Sequence, residues 1–177
     1  MNITVYLGSF DGYDDSLRVA VRELGEWIGK SNHALVYGGS KIGLMGVLAE
    51  SVIESGGKAT GVEPGFFVEK VLQYDDLTEL IVTENMSDRK AKMIELGDAF
   101  IALPGGTGTL EEIAEIMSSV SLGMIKAPCI VYNHNGYYDS LKAQLEKMVE
   151  LGLSSAERQK GIYFADSIDE ITEILTR

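Results

Sequence analysis

The chain has 177 residues, 45% of them hydrophobic and 24% charged, which is enough apolar material for one domain with a sizeable core and gives no sign of a second. Its formal net charge is −12 and its longest basic run is Arg89, Lys90 and Lys92, which argues against a nucleic-acid partner or an anionic membrane surface. The single cysteine, Cys129, excludes an internal disulfide; with no leader-like segment before Ile3 and no apolar stretch of spanning length, a cytoplasmic protein is expected.

In chain order, Ile3 to Leu7 reads as a short strand ending at Gly8 and Ser9, after which Leu17, Ala20, Val21, Leu24 and Ile28 recur at helical spacing. A second strand, Ala34 to Tyr37, ends in Gly38, Gly39 and Ser40. It leads into a helix that opens around Gly43 and carries Val47, Leu48, Val52 and Ile53. A third strand covers Lys58 to Val62 and is expected to stop before Pro64 and Gly65. From Phe66 to Asp76 the pattern weakens to a loop or irregular helix, before a short strand at Leu80 to Thr83. A helix from Asp88 to Leu96 is expected to close on Gly97 as its C-cap. Then come a strand from Ala99 to Leu103, a helix from Leu110, a strand from Cys129 to Tyr132, a helix from Tyr138 to Leu151, a strand from Ile162 to Phe164 and a helix from Ile168 to Leu175. Strands alternating with helices predict an α/β fold, a doubly wound parallel sheet in a single domain spanning 1–177, with ligands at the carboxyl ends of the strands. No internal repeat or linker interrupts it.

The stretch DAFIALPGGTGTLEEIAE, from Asp98 to Glu115, joins an apolar strand to a helix through a glycine-rich turn. Such a turn lets backbone approach an anion, and the unpaired N–H groups at the helix start suit a phosphate. The same residues also read as a plain βα turn in which Thr109 caps the helix and Glu112 completes a capping box, with Glu111, Glu112 and Glu115 near the positive end of the dipole. On a helical wheel Leu110, Ile113, Ala114, Ile116, Met117 and Val120 form the arc expected to be buried, with Glu112 at its border.

Arg89 and Lys90 stand at the start of their helix, where the dipole disfavours cations, and residues placed against a local rule are often functional. Their helix follows a strand on the same side of the sheet as the Gly105 turn, so Arg89 is expected to present a planar cation towards the cradle and Glu112 a carboxylate beside it. His33 and His134 lack partners at metal-ligand spacing, so no metal site is expected. No nucleophile elbow is present. Cys129, Tyr137, Tyr138 and the methionines read as packing residues.

Pro104 to Glu112 matches P-G-G-x-G-T-x-x-E, and the chain thereby resembles the Lonely Guy family of cytokinin riboside 5′-monophosphate phosphoribohydrolases. Met86 to Met93, MSDRKAKM, and Tyr37 to Gly46, YGGSKIGLMG, are similar to that family's other motifs, and NGYYD from Asn135 to Asp139 also looks familial. The resemblance runs from Gly8 to about Leu141. It implies a Rossmann-like homodimer that takes a small-molecule nucleotide, hydrolyses the base–ribose bond of a purine-type nucleoside 5′-monophosphate, and needs no cofactor. Arg89 and Glu112 match the family's catalytic pair, and Gly105, Gly106, Thr107, Gly108 and Thr109 its phosphate-binding turn. The matched motifs place Gly8, Ser9, Gly39, Met45, Met86 and Lys90 among the substrate-binding residues. An older label for such proteins, lysine decarboxylase, would require pyridoxal phosphate on a Schiff-base lysine, for which no residue here argues. Ser87, Thr107, Ser119 and Ser121 depart from the family's usual His, aromatic, Trp and Gln, so the pocket wall differs. The competing class is a non-enzymatic nucleotide or molybdenum-cofactor carrier of the same fold.

Overall fold

The computed structural model describes residues 1–68 and 76–177. Its strands are β1 (Asn2–Tyr6), β2 (Ala34–Tyr37), β3 (Lys58–Pro64), β4 (Glu79–Thr83), β5 (Ala99–Ala102), β6 (Cys129–Tyr132) and β7 (Ile162–Ala165). They form one sheet in the order β4-β3-β2-β1-β5-β6-β7, every neighbouring pair parallel. The helices are α1 (Asp15–Lys30), α2 (Gly43–Glu54), α3 (Gly65–Val68), α4 (Met86–Leu96), α5 (Thr107–Ser121), α6 (Asp139–Glu150) and α7 (Ile168–Thr176). This is the doubly wound parallel sheet expected from the alternation of elements.

Strands covered on both faces read as apolar runs, and AFIA and CIVY are buried throughout. The two-residue period of β1 sends Ile3, Val5 and Leu7 into a core with α1, α2 and α7. Tyr6 goes to the opposite core, with Phe100, Met93 of α4, and Ile113 and Ile116 of α5. Buried Thr4 donates to the Met93 carbonyl at 3.0 Å and ties α4 to the central strand. Because β5 lies beside β1 while β2, β3 and β4 run off the other side, the switch in winding falls between β1 and β5. The carboxyl ends of these two strands are therefore where a ligand is expected to lie.

Several local expectations are corrected. β3 runs through Pro64, which pairs in register with Thr83 at the end of the strand, where a missing N–H costs the ladder little. Gly97 caps α4 as expected, with an extended backbone at φ −82. A side chain there would meet Thr4 Oγ1 at 2.6 Å, so close packing rather than backbone conformation favours glycine. Of the weak segment from Phe66 to Asp76, Gly65–Val68 opens as a short helix; 69–75 lie outside the described residues.

Candidate active site

Helix α5 begins at Thr107, three residues earlier than Thr109 as a cap would require. Its N-cap is Gly106, which has no side chain to close the first turn, so the expected capping box of Thr109 and Glu112 does not form. No acidic residue stands in the first turn, and Glu112 is the sixth residue of the helix. By contrast α1, α4 and α7 are capped by the side chains of Asp14, Asn85 and Ser167. The start of α5 is left with its donors directed outwards.

The turn itself is held closely. A Cβ on Gly105 would collide with the Thr109 hydroxyl and lie 3.0 Å from the Gly8 nitrogen, so glycine is required where the loops after β1 and β5 cross. Gly106, Thr107 and Gly108 are exposed, while Thr109 is buried against Gly105. Two side chains that read as packing residues turn out to anchor this loop. Tyr137 donates its hydroxyl to the Gly105 carbonyl at 2.5 Å, and Tyr138 donates to the Leu103 carbonyl at 2.9 Å. Their motif is fixed in turn by Asn133, whose side-chain oxygen accepts from the Tyr138 N–H at 2.7 Å.

Arg89 and Glu112 meet. Arg89 Nη1 donates to Glu112 Oε1 at 2.5 Å and Arg89 Nε to the Val62 carbonyl at 3.0 Å, both side chains being buried. Arg89 is the fourth residue of α4 and Lys90 the fifth, because the helix starts at Met86 with Asn85 as its cap. The dipole penalty expected there is therefore small, and the Glu112 carboxylate offsets it. Glu112 takes part in the buried face of α5 with Thr109, Ile113, Ile116, Met117 and Val120, whereas Leu110 and Ala114, expected in that arc, are exposed. Burial pushes the Glu112 carboxyl above the ordinary glutamate value, and Arg89 pulls it back only in part. Burial also raises Tyr6, which lies in the same field; nearby Glu112 adds to the rise.

The remaining expected positions distribute around this pair. Gly8 lines a cavity of about 210 Å³ with Phe10, Gly105, Gly106 and Tyr137. Ser9 and Met45 line a second, of about 350 Å³, with Phe10, Gly38, Ile42 and Phe67. Gly39, at φ +85, lies beside that second cavity. Gly38 touches both the cavity and the pair, since a Cβ there would come within 2.7 Å of Arg89 Nη2. Met86 is partly exposed at the start of α4. Lys90 is engaged elsewhere: its ammonium binds Glu111 at 2.5 Å and Glu115 at 3.1 Å on α5, hydrogen bonds that raise its pKa. Cys129 is fully buried, its thiol pushed up to about 12 by burial, which fits a small core residue. Among the described residues no cluster of His, Cys, Asp or Glu could hold a metal ion, and no helix is long and apolar enough to cross a membrane.

One residue of the site was not expected. Glu63, at the carboxyl end of β3, is 3% exposed, lines the larger cavity, and packs its Cγ where a Gly39 side chain would otherwise sit. The signal for it in the sequence is the acid inside GVEP, a charged residue at the carboxyl end of a strand that is buried there on both sides of it. Burial raises its carboxyl above the ordinary value, and Arg89 opposes the shift.

A family model described as "Possible lysine decarboxylase" matches residues 45–175. A cytokinin riboside 5′-monophosphate phosphoribohydrolase of Rhodococcoides fascians is 41% identical over 167 residues, 93% of this chain and 84% of the relative. A protein of the same name from Arabidopsis thaliana is 38% identical over 173 residues, 98% of this chain and 80% of its own. Among solved structures, the molybdenum cofactor binding protein of Rippkaea orientalis superposes with a TM-score of 0.74 at 22% identity, covering 99% of this chain and 94% of the other. The Moco carrier protein of Chlamydomonas reinhardtii gives 0.73 at 21%, covering 99% and 97%. At such identities the two structures speak for the shared fold alone. The long, close matches to the named phosphoribohydrolases and the family model together show that the chain belongs to the Lonely Guy family.

Proposed function

We propose that the protein hydrolyses the N-glycosidic bond of a purine-type nucleoside 5′-monophosphate, with cytokinin riboside or adenosine as the nucleoside, releasing the free base and ribose 5-phosphate. The observation that carries this reading is the buried Arg89–Glu112 pair, 2.5 Å apart and next to an uncapped helix start at the switch in winding. The turn from Gly105 to Thr109 holds the 5′-phosphate through backbone N–H groups, and binding this remote group positions the reacting carbon. As the C1′–N bond breaks, its electron pair leaves with the base and positive charge develops on the ribose. The Glu112 carboxylate stabilises that charge and orients the incoming water, whose oxygen bonds C1′ while a proton passes to the departing base. Arg89 keeps Glu112 ionised and in place through one nitrogen, with Nη2 beside Gly38 facing the larger cavity.

The decarboxylase description gains no support from the lysine beside this pair. Pyridoxal phosphate chemistry needs a free lysine amine to form a Schiff base, and Lys90, the lysine next to Arg89, is locked between Glu111 and Glu115. A cytoplasmic homodimer is the proposed form: Leu110, Leu122 and Met124 leave an apolar strip exposed along and just beyond α5, and the lone cysteine suits a reducing compartment.

Incubating the purified protein with a panel of nucleosides and their 5′-monophosphates, and assaying free base and ribose 5-phosphate, tests the reading. Adenosine 5′-monophosphate is expected to be cleaved and adenosine hardly at all. Equal turnover of the two removes the phosphate cradle, and tight nucleotide binding without turnover of any nucleotide favours a carrier.

A further inference from the structure

A buried carboxylate in a folded protein normally has its oxygens satisfied, because the unpaired charge is costly to take out of water. Glu63 Oε2 is buried and has no hydrogen-bond partner among the described residues. Arg89 is close enough to act on Glu63 electrostatically, but its Nε is spent on Val62 and its Nη1 on Glu112. Glu63 faces a cavity of about 350 Å³ whose other walls include Phe10, Met45 and Phe67, a largely apolar space of a size suited to a planar heterocycle. Phe10 also lines the smaller cavity that reaches Gly105 and Gly106, so the two spaces are neighbours, one on the glycine turn and one on Glu63. The Gly38 wall of the larger space touches Arg89. A nucleotide with its phosphate at the turn has its base in the larger space, and the Glu63 carboxylate that lines it accepts hydrogen bonds and cannot donate them while ionised.

We propose that Glu63 is the base-specificity residue, its carboxylate accepting a hydrogen bond from the exocyclic amino group of an aminopurine seated in this cavity. The assignment rests on the phosphoribohydrolase reading for the placement of the phosphate, and it names the feature of the base that this chain selects. A purine without the amino group leaves the carboxylate buried and unpaired, which is the arrangement that discriminates most strongly between near-identical ligands.

The test compares adenosine 5′-monophosphate with purine riboside 5′-monophosphate, which differs only by lacking the amino group, in wild type, Glu63→Leu and Glu63→Gln. Both kcat/KM and calorimetric Kd are measured. Wild type is expected to prefer the amino compound by about tenfold or more, Glu63→Leu by no more than about twofold, and Glu63→Gln, which keeps an acceptor, by an intermediate factor. If the leucine variant fails to fold, the glutamine variant decides: a preference equal to that of wild type overturns the proposal. Loss of both nucleotides in equal measure assigns Glu63 to the ribose or the framework and also overturns it. Should wild type cleave neither compound, the phosphoribohydrolase reading fails, and the binding preferences still decide the role of Glu63. Cleavage of both at the same rate by wild type leaves the reaction standing and removes Glu63 from base selection.

Discussion

Glu112→Gln separates a catalytic carboxylate from a structural one, and its cost can be worked from the geometry. No capping box exists to be broken, because α5 is capped by Gly106 and Glu112 stands in the second turn. What the substitution changes is the partner of Arg89, which is 7% exposed. Removing one member of a buried ion pair outright costs about 3–5 kcal/mol. Glutamine still offers an oxygen to Nη1, the bond from Nε to Val62 at 3.0 Å is untouched, and Glu63 continues to act on the guanidinium. The expected loss is therefore that of one buried ion-pair hydrogen bond weakened to a bond between the guanidinium and a neutral oxygen, about 1.5 kcal/mol, with an upper bound near 3 kcal/mol. For a chain of this size that lowers Tm by about 3–12 °C, leaving the variant folded at 25 °C. If the charge stabilises an oxocarbenium-like transition state, kcat should fall by about a hundredfold or more, equivalent to about 2.7 kcal/mol. Nucleotide affinity should change little, because the phosphate contacts lie on the turn. The assay is release of free base from saturating adenosine 5′-monophosphate at 25 °C, run beside thermal melts of both proteins. A kcat within about threefold of wild type together with a lowered Tm would refute the catalytic role and leave Glu112 as the counter-ion of Arg89.

Gly105→Ala should fold poorly or raise KM for the nucleotide by about tenfold or more, since its Cβ meets the Thr109 side chain at 2.8 Å and Gly8 at 3.0 Å; Gly106→Ala, with nothing within 4 Å, should keep a near-wild-type melting curve, and matching melts and KM values in the two variants would contradict the close crossing of the loops. Tyr137→Phe removes the hydroxyl that holds the Gly105 carbonyl, and should raise KM severalfold with a stability loss of about 1 kcal/mol; an unchanged KM would show that the turn holds its shape unaided. Glu63→Gln should raise Tm above wild type at pH 8, with the advantage shrinking towards pH 4. Burial raises the Glu63 carboxyl in the folded state above its ordinary value, so the folded protein binds more protons than the unfolded chain in that window and loses stability as pH rises through it, a loss the amide does not share. A Tm difference independent of pH would show that Glu63 is not held in an unfavourable environment.

Much of this was legible in the chain because the signals were local. The apolar runs ALVY and CIVY fell on their strands to the residue, and the 3.6-residue spacing of Leu17, Val21, Leu24 and Ile28 located α1. The glycine turn followed by a helix gave the ligand end, since both its backbone freedom and its free N–H groups are written in consecutive residues. The three-residue discrepancy at the cap shows where local reading stopped: S/T-x-x-E satisfies the capping pattern anywhere, but the loop after β5 had to close against Gly8 and Tyr137, and this tertiary contact started the helix at Thr107. In the same way Leu110 and Ala114 belong to the apolar arc by periodicity, yet only the docking angle of α5 on the sheet decides which edge of that arc is covered. Sequence placed Arg89 and Glu112 in the same neighbourhood. That they touch, that Lys90 is diverted to Glu111 and Glu115, and that Glu63 is left with an unpaired oxygen beside the cavity depend on residues distant in the chain brought together by strand order, which no local pattern encodes.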